Sequence, residues 1–145
     1  MKAINEMKMN FLSRSCNESF ARSAVAAFTA VLDPTVEEIS DIKTAVSEAV
    51  TNCIVHGYKD GIGMVYIHVK IFEGNRISIN IKDKGCGIAD VKKAMEPLFT
   101  TCDTGERAGL GFSIMDSFMD KLKVRSKPGK GTSVTLEKII VSKGK

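Results

Sequence analysis

The chain has 145 residues, 43% of them hydrophobic and 26% charged, with a net charge of +4 at neutral pH. These are globular averages, so disordered and fibrous classes are excluded, and the length fits a single domain over residues 1–145 with little room for a second catalytic module. The modest charge argues little for nucleic acid, and there is neither a signal-peptide core nor an apolar run of membrane length, so a cytoplasmic protein without a direct nucleic-acid or membrane partner is expected.

Alternation of Met7, Met9 and Phe11 with polar neighbours predicts a first strand. Ser15 and Glu18 have capping-box spacing, and Phe20, Ala24, Ala27, Phe28 and Val31 then recur at helical spacing until Asp33-Pro34. A second box, Thr35 with Glu38, opens a longer helix with the stripe Ile39, Ile42, Val46, Ala49, Val50 and Cys53, which Gly57 can end. Two β-rich runs, 64–72 and 76–82, flank Glu73-Gly74-Asn75 as a hairpin, and a short helical stretch is expected over 89–95.

Residues 97–108 are rich in Thr and Gly without periodicity and are expected to form a long functional loop. A helix over 109–121 and two closing strands, 122–126 and 133–141, complete an α+β sandwich: a mostly antiparallel sheet on one side, helices on the other. Lys121, Lys123, Arg125 and Lys127 alternate with apolar residues as one strand face does, which predicts a solvated face or, less often, a phosphate or protein contact. The cysteines Cys16, Cys53, Cys86 and Cys102 lie too far apart in sequence for a zinc ribbon or redox pair and are expected to be reduced thiols.

Four weak signals follow one another. Glu48 and Asn52 share a helix face, a pattern more often solvated surface than site. Asp83-Lys84-Gly85-Cys86-Gly87 closes a strand with an acid and two glycines, which alone is no more than a tight turn. Gly109-Leu110-Gly111 opens a helix, and helix N-termini collect phosphates. Gly129-Lys130-Gly131-Thr132 by itself is a hairpin turn, and it is not a Walker A loop because Gly131 stands where Ser or Thr must follow the lysine. Neither glycine pair has the third glycine of a dinucleotide fingerprint.

In order and spacing these segments resemble the N, G1, G2 and G3 boxes of the Bergerat (GHKL) ATP-binding superfamily. Over nearly its whole length the chain looks like a bacterial anti-sigma factor serine kinase, on the sporulation side of that family. The stretches that carry the likeness are Asn17-Glu18-Ser19-Phe20-Ala21-Arg22, Ser47 to Asn52, His56-Gly57-Tyr58, Pro97-Leu98-Phe99-Thr100-Thr101, and Glu106-Arg107 before Gly109-Leu110-Gly111-Phe112. It departs from the pattern at Lys84, Cys86 and Cys102-Asp103-Thr104-Gly105.

The resemblance implies ATP and Mg2+ as cofactors, a Bergerat fold, and a homodimer that holds a sporulation sigma factor (sigma F) and phosphorylates its anti-anti-sigma antagonist on serine. Glu48 would be the general base and Arg107 would reach the γ-phosphate, because hydroxyl attack on phosphorus needs a proton acceptor and charge neutralisation. Asn52 would offer magnesium one neutral oxygen ligand. Asp83 would accept from the adenine amino group with support from Thr132, while Gly85, Gly87, Thr100, Thr101, Gly109 and Gly111 line the nucleotide. Arg22 is nominated for partner contact. The alternatives are the sister branch that controls a general stress sigma factor, and a sigma-binding module without kinase activity. A sensor histidine kinase fragment is disfavoured because His56 and His68 lie on no separate helical hairpin.

Overall fold

The structure is a computed structural model and describes residues 2–91 and 107–141, with backbone alone at 107–110. Strands β1 (Asn5–Leu12), β2 (Met64–Phe72), β3 (Arg76–Asp83), β4 (Lys121–Lys127) and β5 (Gly131–Ile139) form one sheet in the order β1-β2-β3-β5-β4. Every neighbouring pair is antiparallel. Helices α1 (Asn17–Thr29), α2 (Val36–Asn52) and α3 (Arg107–Phe118) cover one face, with α2 packed between the other two. The expected α+β sandwich of a largely antiparallel sheet and helices is therefore the architecture found.

Strand periodicity decides which face is covered. Val65, Ile67, Val69 and Ile71 of β2 and Ile77, Ile79 and Ile81 of β3 are buried, while the residues between them are not. They meet Ile42, Val46, Ala49 and Val50 of α2, and each fully buried branched side chain contributes about 1.5–3 kcal/mol. Gly74 and Asn75 both have positive φ, 83° and 59°, as the tight β2–β3 turn requires.

The Thr35–Glu38 capping box forms in full: the Glu38 N–H donates to Thr35 Oγ1 at 3.1 Å and the Thr35 N–H to Glu38 Oε1 at 2.9 Å. The Ser15–Glu18 box does not. Cys16 takes the cap position without a side-chain bond, and the Glu18 carboxylate goes instead to Arg22 Nη1 at 2.7 Å and Ser47 Oγ at 2.6 Å. A charge-assisted contact outcompetes a lone backbone N–H. The helix expected over 109–121 starts at Arg107 and stops at Phe118, because Asp120 already donates its N–H to the Glu137 carbonyl and begins the β4–β5 pairing. The helical stretch expected over 89–95 falls outside the described residues beyond Val91.

Candidate functional site

Helix α2 ends at Asn52 and widens into one π-helical turn, Cys53–Gly57, closed by the Tyr58 N–H donating to the Cys53 carbonyl at 2.9 Å. Such widened turns frequently mark functional sites, because the extra residue re-aims the side chains. Here Asn52, Cys53, His56 and Gly57 all line one cavity of about 200 Å³. Its other walls are Ile81 and Asp83 of β3, Thr132 and Val134 of β5, the loop Cys86 to Ala89, and Phe112 of α3.

Asp83 is only 3% exposed. Burial raises its carboxyl pKa above the ordinary aspartate value, and hydrogen bonds from the Gly85 N–H (2.8 Å), the Cys53 thiol and the Thr132 backbone offset part of that rise. Burial first, and then the Asp83 charge, push the Cys53 thiol well up, so it stays a proton donor to that carboxylate.

The acid sits among glycines because backbone must come close on several sides. A Cβ on Gly57 would stand 2.7 Å from Asp83 Oδ2, one on Gly85 1.9 Å from the Gly57 carbonyl oxygen, and one on Gly131 2.1 Å from the Asp83 carbonyl oxygen. Gly87 (φ +75°) and Gly131 (φ +99°) also occupy the left-handed region, where side chains are strained. The loop is tied down by the Cys86 N–H to the Gly57 carbonyl (2.9 Å) and the Lys84 N–H to Tyr58 Oη (2.7 Å). Ser126 accepts from the Ile88 N–H at 2.7 Å and lies 2.9 Å from Thr132 Oγ1.

Across the cavity, Asn52 Nδ2 is buried and has no hydrogen-bond partner among the described residues. Gly111, inside α3 rather than at its start, comes so close that a Cβ there would lie 3.3 Å from that nitrogen. An apolar slot with one buried acid at one end and an unsatisfied amide at the other suits a flat heteroaromatic base with an exocyclic amine, joined to a group that needs an amide. No cluster of three His, Cys, Asp or Glu converges among the described residues, so a divalent ion here would need Asn52 and oxygens from its own ligand.

The remaining expected residues are distributed unevenly. Asn52, Asp83, Gly87 and Thr132 line this cavity, and Gly85 and Gly111 back it. Glu48 lines a separate, more open concavity of about 440 Å³ between α1 and α2, together with Arg22, Lys43, Thr44 and Ser47. Arg22 is held there by Glu18 and reaches Ser47 Oγ at 3.3 Å, so it is an ordered, half-exposed cation. Gly109 lies within α3, Arg107 begins it, and Thr100, Thr101 and the Arg107 side chain lie outside the described residues. Cys53, Ser126 and Gly57 as supports of the acid were not evident from composition or spacing, since each meets Asp83 or its loop only through the fold. Cys16, Cys53 and Cys86 carry no disulfide, and no described helix is long and apolar enough to cross a membrane.

The antiparallel sheet, the three covering helices and a cavity walled by the end of α2 and the glycine loop after β3 define a histidine kinase-like ATPase domain, and that family matches residues 15–138. The chain belongs to this family. Within it, relatives that match nearly the whole chain include anti-sigma F factors. The one from Thermoanaerobacter sp. (strain X514) is 61% identical over 98% of this chain and 99% of its own length. That of Caldanaerobacter subterraneus subsp. tengcongensis is 59% identical over 97% of both chains, and that of Clostridium novyi 56% identical over 95% and 96%. Among solved structures, the RsbU and RsbW domains of a Mycobacterium tuberculosis protein superpose with a TM-score of 0.68 at 15% identity, covering 94% of this chain and 32% of that one. The histidine kinase domain of an Erythrobacter litoralis blue-light activated histidine kinase gives 0.53 at 18% identity, covering 85% and 61%. At those identities the likeness is one of fold.

Proposed function

We propose that the chain is a cytoplasmic, magnesium- and ATP-dependent protein serine kinase that is also an anti-sigma factor, holding sigma F and phosphorylating its anti-anti-sigma antagonist as a homodimer. The observation that carries the reading is the unpartnered Asn52 Nδ2, a donor suited to a phosphate oxygen, facing the same cavity as the glycine-bound Asp83 in a chain collinear with proteins named anti-sigma F factor. The cavity is smaller than sites that enclose a whole drug-sized ligand, so it would take adenine and ribose, with the phosphates running towards Asn52 and the start of α3. Asp83 would accept from the adenine amine, and Asn52 would give magnesium its amide oxygen. Bound magnesium ATP supplies the γ-phosphoryl group and neutralises its charge.

Glu48 and Asn52 stand about 6 Å apart along the helix axis, at 1.5 Å per residue, yet line different concavities. Asn52 would serve the nucleotide from inside, and Glu48 would meet the incoming serine hydroxyl from the α1–α2 side, where a protein substrate has access. Arg22, clamped in that same concavity, would contact the partner. Arg107, Thr100, Thr101, Gly109 and Gly111 would close over the phosphates.

The test is incubation of the protein with γ-labelled ATP, magnesium and the small anti-anti-sigma partner. Label on a partner serine is the expected result. A stable complex without label would make the chain a binder only.

A further inference from the structure

Net charge conceals how the charges are placed. On the helical side, α2 carries Glu37, Glu38, Asp41 and Glu48 against Lys43 alone. Among the described residues no helix lies over the opposite face of the sheet, and at its β4 end Lys82, Lys84, Lys123, Arg125, Lys127 and Lys130 are all exposed. No carboxylate pairs with any of these six among the described residues.

Register makes them one patch. Lys82 pairs with Ser133 and Ser133 with Arg125, so two cations flank a serine across three strands, about 4.8 Å per strand. Along β4, Lys123, Arg125 and Lys127 recur about every 6.8 Å on the same face. A shallow concavity of about 310 Å³ is lined by Asn80, Lys123, Arg125, Ser133, Thr135 and Glu137. The Asn80 amide donates to Ser133 Oγ at 2.8 Å and Thr135 Oγ1 at 3.0 Å, so both hydroxyls keep a proton to offer an acceptor on the open side. Glu137 is neutralised by Arg76 at 2.9 Å.

We propose that this face docks duplex DNA through its phosphate backbone, without reading sequence. The patch has no exposed large apolar side chain, whereas protein interfaces rely on buried aromatic or aliphatic anchors and are poor in lysine. Single strands are held by bases stacking on aromatic rings, and the ring available, Tyr66, is capped by Lys82 at 5.6 Å and Lys84 at 5.1 Å. A flat array of cations and hydroxyl donors without a stacking platform fits phosphates displayed by a rigid duplex.

Fluorescence anisotropy with a labelled duplex of roughly 20 base pairs, between about 50 and 200 mM salt, tests this. The intact chain is expected to bind with log K falling against log salt at a slope of about −3 or steeper. K123E/R125E is expected to bind at least tenfold more weakly with a slope shallower by about 2, at about 0.9 for each phosphate that is no longer neutralised. Circular dichroism melting establishes that the variant folds, and K123Q/R125Q replaces it if it does not. The proposal is overturned by absence of binding at the lowest salt, by unchanged binding of the variant, or by tighter binding of single-stranded DNA or duplex RNA. Displacement by poly-glutamate in preference to DNA would assign the face to an acidic protein instead, and self-association abolished by the substitutions would assign it to a second copy.

Discussion

Replacing Asn52 by alanine separates a functional site from a structural one, because the two predict opposite signs of stability change. A buried donor without a partner costs about 1–3 kcal/mol. Asn52 Nδ2 is in that position, so its removal should recover that amount, and alanine is the better helix former by a few tenths of a kcal/mol. Loss of amide packing against Gly111 offsets part of the gain, leaving Asn52→Ala more stable without nucleotide by about 1 kcal/mol, or about 3 °C in melting temperature. With magnesium ATP at about 100 times its dissociation constant, the intact chain should gain about 2.7 kcal/mol by mass action. The variant should gain much less, so the order of the two melting curves reverses on adding nucleotide. Thermal unfolding of both proteins with and without magnesium ATP reads this directly. A variant that melts below the intact chain in the absence of nucleotide would show that the amide is already satisfied, and an equal shift with magnesium ATP would remove Asn52 from the site.

Glu48→Gln should reduce phosphoryl transfer roughly 100-fold or more while leaving ATP affinity in titration calorimetry unchanged, since Glu48 lies outside the cavity that Asn52 lines. For Asp83, burial makes the folded state hold the proton more tightly than the unfolded chain does, so the stability from that proton is complete below the unfolded pKa and is lost as pH rises through the raised folded one. Nucleotide binding runs the other way. If the adenine amine donates to the Asp83 carboxylate as proposed, affinity should fall as pH drops through the raised value, at a higher pH than an ordinary aspartate would give, and Asp83→Asn should abolish that dependence in calorimetric titrations. Gly85→Ala drives a Cβ to 1.9 Å from the Gly57 carbonyl, backbone against backbone, and should cost about 3 kcal/mol in urea unfolding. Gly61→Ala meets nothing within 4 Å and should change stability by about 0.5 kcal/mol or less; similar losses for both would refute the close-approach account.

Periodicity was enough for the strands and for α1 and α2, because a half-buried strand and an amphipathic helix each write their exposure into the chain at periods of 2 and 3.6. The alternation of β1 to β3, the stripe of α2 and the Thr35–Glu38 box were legible for that reason, and so were Asn52, Asp83 and the glycines once their order was seen. What required the fold were meetings of residues distant in sequence. Glu18 abandons its own helix start for Arg22 and Ser47, 29 residues on, and the Cys53 thiol donates its hydrogen bond to Asp83, far along the chain. Glu48 and Asn52 are one turn apart on α2, yet only the fold shows that they line two different concavities, Glu48 the one beside Arg22 and Asn52 the one beside Asp83. Charge followed the same rule: a total of +4 is a sum over residues, and only strand pairing decides that the cations of β3, β4 and the turn after β4 stand together on the face opposite the helices.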